Sequence, residues 1–235
     1  MADQPQPPAI VLLDIEGTIA PISFVHDVLF PYVRARLGGF IAANATDPEI
    51  AQALADLDQI TPGAAPVQTL HALMDRDAKI GPLKLIQGRI WAQGFADGAL
   101  TSRFYPDVAP ALRAWHNDNV GLAVYSSGSE QAQRLLFGHA PEGDLTGLIT
   151  GFFDTRVGGK REPVSYAVVA HSLATSPARI LFLSDIEAEL TAAAAAGLAV
   201  CQLVRPQDGT IASALYPYAE DLAGVARRFG LSQPQ

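Results

Sequence analysis

Short apolar runs alternate with longer amphipathic segments over much of the chain. The first run, Ile10–Leu13, consists of branched apolar residues and ends before Asp14, which is typical of a buried strand. Similar runs occupy residues 121–125, 151–153, 180–183 and 199–204. Segments with helical periodicity lie between them, at about 106–115, 130–137, 165–173 and 187–196. Strands that alternate with helices of about ten residues predict a parallel sheet covered on both faces, that is, a doubly wound, Rossmann-like α/β fold.

The residues between the first and second strands have a different pattern, which is helical almost throughout. Asp47-Pro48 is typical of a helix N-cap followed by proline at the first helical position. Apolar residues follow it at helical spacing: Ile50, Ala53, Leu54 and Leu57. Further helical stretches are predicted at about 67–76 and 82–96. The pattern therefore predicts an all-helical insert after the first strand.

These patterns predict the domain organisation. An α/β core is formed by residues 9–20 and 102–235, and an all-helical cap is formed by residues 21–101. Residues 1–8 are polar and rich in proline, and they lack the basic and apolar segments of a signal peptide. We expect them to be a disordered tail.

Composition and charge narrow the class of protein and partner. Hydrophobic residues make up 49% and charged residues 17%, which is typical of a well-packed globular protein. The net charge is −8 and no stretch of basic residues is present, which argues against nucleic acid or an anionic membrane as the main partner. No apolar stretch reaches the roughly 18 residues of a transmembrane helix. The lone cysteine, Cys201, excludes an intramolecular disulfide and favours the reducing cytoplasm.

The predicted strand ends carry polar residues of related chemistry. They are Asp14 and Glu16, Ser126 and Ser127, Lys160, and Asp185. In open parallel sheets, ligands bind at the carboxyl ends of the strands, where neighbouring loops converge. Because Asp14 and Glu16 are two residues apart, their side chains would face the same way in an extended chain. We therefore expect these residues to form one site.

This set of residues predicts phosphoryl transfer. Three carboxylates in one crevice repel each other unless a cation lies among them, and oxygen ligands without a His or Cys cluster favour Mg²⁺. Ser126-Ser127-Gly128 lies between a strand and a helix and offers hydroxyl and N–H groups to a phosphate. Lys160, after two glycines, adds a compact positive charge. Taken singly, each group also fits a solvated turn or a helix N-cap, but their order favours an aspartyl-phosphate mechanism.

The motifs resemble those of a known superfamily. DIEGT, YSSGS, GGK and LSDIEAE, in this order, are similar to the four motifs of the haloacid-dehalogenase-like hydrolases. The longer segments DIEGTIAPISFVHDVLFPY and LKLIQGRIWAQGFADGAL resemble one family within it, the enolase-phosphatases (acireductone synthases). Glu16 stands where most of the superfamily has aspartate, and this variant is typical of the enolase-phosphatase family.

The resemblance implies a role for each strand-end residue. Asp14 would be the nucleophile and a Mg²⁺ ligand, and Glu16 would be the acid/base, with its main-chain carbonyl on the metal. Ser126 and Ser127 would bind phosphate, Lys160 would neutralise it and orient Asp14, and Asp185 would be a metal ligand. Relatives have a further acidic residue near Asp185, and either Glu187 or Glu189 could take that position.

The resemblance also implies the reaction. The small phosphorylated substrate 2,3-diketo-5-methylthiopentyl-1-phosphate is enolised and then dephosphorylated to acireductone in methionine salvage, by a cytoplasmic monomer. Two alternatives stay open at this point. One is a phosphatase for another small phosphate ester, because the cap decides the substrate. The other is a non-catalytic interaction module with the same fold.

Overall fold

The structure of the chain is a computed structural model that describes residues 7–234, so residues 1–6 of the predicted tail lie outside the described residues. Within the described part, six strands form one sheet: β1 (Ile10–Leu13), β2 (Gly121–Tyr125), β3 (Gly151–Phe153), β4 (Ile180–Ser184), β5 (Ala199–Leu203) and β6 (Tyr218–Ala219). Their order is β3-β2-β1-β4-β5-β6, and all neighbouring strands are parallel. The predicted parallel α/β sheet is confirmed.

β1 lies between β2 and β4, where the order of the strands changes direction. Leu13 at its end is level with Val124 in β2 and with Leu183 in β4. The residues that follow these three strands therefore meet at one edge of the sheet. In open parallel sheets, ligands bind at this edge, next to the change of direction.

Helices connect the strands. In chain order they are α1 (Ile22–Phe24), α2 (Phe30–Ala43), α3 (Pro48–Ile60), α4 (Pro66–Asp75), α5 (Gly81–Ala96), α6 (Val108–Asn117), α7 (Glu130–Gly138), α8 (Pro163–Ser172), α9 (Glu187–Ala195) and α10 (Leu222–Phe229). A π-helical turn, Val25–Leu29, joins α1 to α2. None of the helices formed by residues 7–234 is long and apolar enough to cross a membrane. We predicted neither β6, which has two residues, nor α10, although the buried residues Leu222, Val225 and Ala226 of α10 stand at helical spacing.

Both faces of the sheet are buried. All residues of β1 and β4 are inaccessible to solvent or nearly so. On one face, Leu12 and Phe182 pack with Tyr166 from α8 and Leu190 from α9. Burial on both faces explains why the strands are continuous apolar runs rather than alternating ones.

Residues 23–101 form a compact unit of their own, and residues 7–22 and 102–234 form the other unit. As predicted, Asp47 caps α3, because its side chain accepts from the backbone N–H groups of Glu49 and Ile50 at 2.9 and 3.2 Å. The unit has its own hydrophobic core, which includes Leu37, Ile50, Leu57, Leu70, Leu83 and Ile86. Trp91 packs against this core and donates its indole N–H to the carbonyl of Leu29 at 3.0 Å. The role of this helical unit as a cap stays a prediction.

A buried arginine ties the C-terminal part of the α/β unit to its first loop. Arg205, at 3% exposure, donates to both carboxylate oxygens of Asp107 at 3.1 Å. It also donates to the carbonyl of Thr18 at 2.9 Å and stacks over the ring of Tyr105. α6 begins at Val108, two residues later than predicted, and the carboxylate of Asp107 before it binds Arg205 instead of capping the helix.

Asp107→Asn should destabilise the protein strongly. The change removes the charge that Arg205 faces while keeping the side-chain size, and an unpaired buried charge costs about 3 kcal/mol or more. Urea denaturation should show this loss in the free energy of unfolding. The control Glu142→Gln, which removes an exposed carboxylate of the same unit, should change it by less than about 0.5 kcal/mol. Equal stability of the two variants would contradict a stabilising role for the Arg205 pair.

Candidate active site

The loop after β1 is a tight turn that contacts the end of β4. The carbonyl oxygen of Ile15 accepts from the backbone N–H groups of Thr18 and Ala20 at 3.2 and 2.9 Å. Gly17 has a φ of +75°, a conformation that favours glycine. A Cβ atom on Gly17 would lie 2.5 Å from Oδ2 of Asp185. Glycine is therefore required for both the turn and the approach of that carboxylate.

Lys160 lies between two buried carboxylates. Its Nζ is 2.5 Å from Oδ1 of Asp14 and 2.6 Å from Oε2 of Glu189. The hydroxyl of Ser184 donates to the same Glu189 oxygen at 2.9 Å and lies 3.4 Å from Oδ2 of Asp14. Burial by itself lowers the pKa of Lys160, but the charges of Asp14 and Glu189 raise it above its ordinary value. Lys160 is therefore held in its charged form.

Thr18 fixes Asp185 at the end of β4. The buried hydroxyl of Thr18 accepts from the backbone N–H of Asp185 at 3.0 Å and donates to its Oδ1 at 3.3 Å. The buried side chain of Gln202 donates to the carbonyl of Asp185 at 2.9 Å. The loop after β1 and strand β5 therefore fix the main chain of Asp185, and that loop also contacts its side chain.

Glu16 contacts the end of β2. The hydroxyl of Ser126 donates to Oε2 of Glu16 at 3.1 Å and accepts from the backbone N–H of Gly128 at 3.1 Å. Ser126 is fully buried, whereas Ser127 is partly exposed. The two carboxylates after β1 therefore contact different neighbours, Asp14 towards β4 and Glu16 towards β2.

Negative charge exceeds positive charge in the Asp14 cluster. The ammonium of Lys160 pairs with the carboxylates of Asp14 and Glu189, and the carboxylate of Asp185 lies near enough to feel the charge of Asp14. Burial, followed by the charge of Asp14, raises the pKa of Asp185 to about 7. The same two causes raise the pKa of Glu189. A bound cation would offset this repulsion and return both groups to their ionised form.

The donor set fits a hard cation with few protein ligands. Among residues 7–234, no three or more His, Cys, Asp or Glu side chains converge as a complete metal site. Asp14 and Asp185 offer oxygen donors only. Mg²⁺ suits such a set, because it commonly binds one or two carboxylates and keeps several waters.

Known proteins are similar to this chain in sequence and in fold. Residues 8–197 match the haloacid dehalogenase-like hydrolase family. The chain is 70% identical over 227 residues to the protein named Enolase-phosphatase E1 of Acidiphilium cryptum, covering 97% of this chain and 98% of that protein. It is 55% identical to the protein of the same name from Gluconacetobacter diazotrophicus, over 94% of each. The chain belongs to the enolase-phosphatase E1 family of the haloacid dehalogenase-like hydrolases.

Solved structures agree with membership of this family. The crystal structure of the UTR4 protein of Saccharomyces cerevisiae is 32% identical, with a TM-score of 0.76, and the alignment covers 91% of this chain and 98% of that one. CbbY from Rhodobacter sphaeroides, solved in complex with phosphate, is 17% identical with a TM-score of 0.61, covering 95% of this chain and 100% of that one. Because CbbY is only 17% identical to this chain, the similarity shows a shared fold and nothing further.

The enolase-phosphatase resemblance left open which acidic residue after Asp185 contacts the site. Glu189 pairs with Lys160, whereas Glu187 is exposed and accepts from the hydroxyl of Ser213. Both glutamates lie in the first turn of α9, and the helix directs only one of them towards the end of β4. The sequence motif does not predict the hydrogen bond from Ser184 to Glu189, because only the fold shows that these two side chains meet.

Asp185→Asn should stabilise the metal-free protein at high pH. Because the folded-state pKa of about 7 exceeds the ordinary aspartate pKa of 3.8, ionising Asp185 costs stability that grows as pH rises from about 4 to 7. Thermal unfolding in EDTA should show a midpoint several degrees higher than that of the parent at pH 8, with the difference shrinking towards pH 5. The exposed control Glu142→Gln should show no such trend. A parallel pH dependence in Asp185→Asn and the parent would contradict the repulsion.

Proposed function

We propose that this chain is a Mg²⁺-dependent enzyme of methionine salvage. It converts 2,3-diketo-5-methylthiopentyl-1-phosphate to 1,2-dihydroxy-3-keto-5-methylthiopentene (acireductone) and phosphate. The observation that carries the proposal is the 2.5 Å ion pair of Asp14 with Lys160 at the end of β1, in a chain 70% identical to a protein named Enolase-phosphatase E1.

In the phosphatase half, Asp14 is the nucleophile. One of its carboxylate oxygens bonds to phosphorus as the bond from phosphorus to the ester oxygen breaks, which forms an aspartyl-phosphate. Glu16 gives its proton to the departing ester oxygen. Glu16 then takes a proton from a water molecule, whose oxygen bonds to phosphorus. The bond from phosphorus to Asp14 breaks, and phosphate leaves.

The remaining residues hold charge and orientation. Lys160 neutralises the phosphoryl group and orients Asp14, and Ser126 and Ser127 bind the phosphoryl group. The contact of Ser126 with Glu16 supports this assignment, because one hydroxyl then adjoins both the proton donor and the phosphate. The side chains of Asp14 and Asp185 and the main-chain carbonyl of Glu16 would hold Mg²⁺. When bound, the ion draws charge from the phosphoryl oxygens and offsets the carboxylate repulsion.

The enolase half precedes dephosphorylation. A base removes a proton from the carbon next to the diketone, the electron pair moves to the carbonyl oxygen, and that oxygen takes a proton from water. Glu16 is our candidate for this base, because the same carboxylate serves proton transfer in the second half.

We further propose that the helical segment 21–101 acts as a cap that excludes water and recognises the part of the substrate without phosphate. Its separate hydrophobic core supports a role as an independent module. We expect a cytoplasmic monomer. The reduced, buried state of Cys201 agrees with a reducing compartment.

Asp14→Asn should reduce phosphate release by at least about a thousandfold, because the amide is a poor nucleophile and does not pair with Lys160. EDTA should abolish release by the parent, and excess Mg²⁺ should restore it. Exposed Asp144→Asn is the matched control and should keep the parent rate. Phosphate release that survives the change Asp14→Asn would rule out Asp14 as the nucleophile.

Glu16→Asp should slow both halves of the reaction. The shorter side chain withdraws the carboxylate from Ser126 by about one methylene, so each proton transfer should slow by about tenfold or more. Ultraviolet absorbance on the diketo-phosphate should then show slower formation of both the enol species and acireductone. Exposed Glu142→Asp should follow the parent time course. Parent rates for both phases in Glu16→Asp would show that the extra methylene is incidental.

A further inference from the structure

Lys160 lies outside helices and strands. It follows the 3₁₀ turn Thr155–Val157 and two glycines, and α8 begins three residues later at Pro163. The main-chain hydrogen bond from the N–H of Glu162 to the carbonyl of Gly159, at 3.0 Å, closes a turn around it. A loop of this kind does not by itself hold an ammonium group within 2.5 Å of Asp14.

Two buried tyrosine hydroxyls hold the main chain on either side of Gly159. Tyr166 in α8 donates to the carbonyl of Lys160 at 2.7 Å. Tyr125, the last residue of β2, donates to the carbonyl of Gly158 at 2.9 Å. Both hydroxyls therefore bind the loop from elements of the α/β core.

The rings of these tyrosines are immobilised by packing. Both are fully buried, and they meet edge to face with centroids 5.5 Å apart. Tyr166 makes a second such contact with Phe182 of β4 at 5.1 Å. A Cβ atom on Gly158 would lie 2.2 Å from Oγ of Ser165, so the loop is seated directly against α8. Burial raises the pKa of each tyrosine, so each hydroxyl keeps its proton and remains a donor.

We propose that Tyr166, assisted by Tyr125, is a positioning residue for Lys160. Its hydroxyl fixes the carbonyl of Lys160, which sets the direction in which the side chain leaves the loop towards Asp14 and the phosphoryl group. The inference rests on the proposed role of Lys160 in phosphoryl transfer. A displacement of about 1 Å at a charged group of this kind costs up to a hundredfold in rate.

The test is Tyr166→Phe, which removes the hydroxyl and keeps the packed ring. We expect kcat for phosphate release to fall about tenfold and KM to rise by a smaller, several-fold factor, because the displaced ammonium also binds the phosphoryl group less tightly. Tyr125→Phe should lower kcat less, because its partner is two residues from Lys160. Tyr216→Phe is the matched control, because its hydroxyl donates to Thr191 at 3.0 Å on the exposed surface. It should keep the parent kcat.

A double-mutant cycle separates positioning from a merely structural role. In a Lys160→Ala background, Tyr166→Phe should cause no further loss of rate in single-turnover assays, because the group it positions is absent. A tenfold loss in both backgrounds, or no loss in either, would overturn the proposal.

A binding measurement keeps this test independent of the proposed substrate. Calorimetric titration with orthophosphate in Mg²⁺ should show a Kd several-fold higher for Tyr166→Phe than for Tyr216→Phe, and no such difference in the Lys160→Ala background. A parent that binds orthophosphate but does not turn over the diketo-phosphate would refute the proposed function alone. An unchanged Kd in Tyr166→Phe, with an unchanged rate, would refute the positioning role alone.

Discussion

The ion pairs of Lys160 with Asp14 and Glu189 are the interaction on which the site depends. Burying carboxylates costs free energy unless opposite charge and hydrogen bonds compensate for the lost water. The ammonium supplies one positive charge at 2.5 and 2.6 Å from two carboxylates, and Asp185 nearby remains only partly compensated. This excess of negative charge favours the binding of a cation and of a substrate that is itself paired with a cation.

Such a cluster persists because rigid elements hold each of its members. Asp14 and Asp185 follow adjacent parallel strands whose register brings their ends level. Gly17 leaves room for the Asp185 carboxylate, and Thr18 holds that residue through two hydrogen bonds. The free energy of folding therefore keeps these like charges together. Their repulsion is strain that a catalysed reaction can relieve.

Much of the fold could be predicted because local patterns agree with it. Runs buried on both faces are continuous and apolar, so β1 to β5 are evident, and the Asp47-Pro48 cap marks the start of α3. β6 was missed because two residues carry no periodicity and the strand depends on pairing with β5. α10 was missed although Leu222, Val225 and Ala226 stand at helical spacing, so a local signal for it was present. The pairing of Asp107 with Arg205 was not predicted, because a partner so distant in the chain leaves no local signal.

The sequence by itself determined the kinds and order of the chemical groups: two carboxylates after the first strand, then serines, a lysine and a third aspartate. Only the tertiary structure decided which of them touch. The contact of Glu16 with Ser126, the position of Lys160 between Asp14 and Glu189, and the hold of Tyr166 on the lysine loop all follow from it. The physical reason is that most of these contacts join residues far apart in the chain, whose distances are set by strand register and helix packing rather than by local preference.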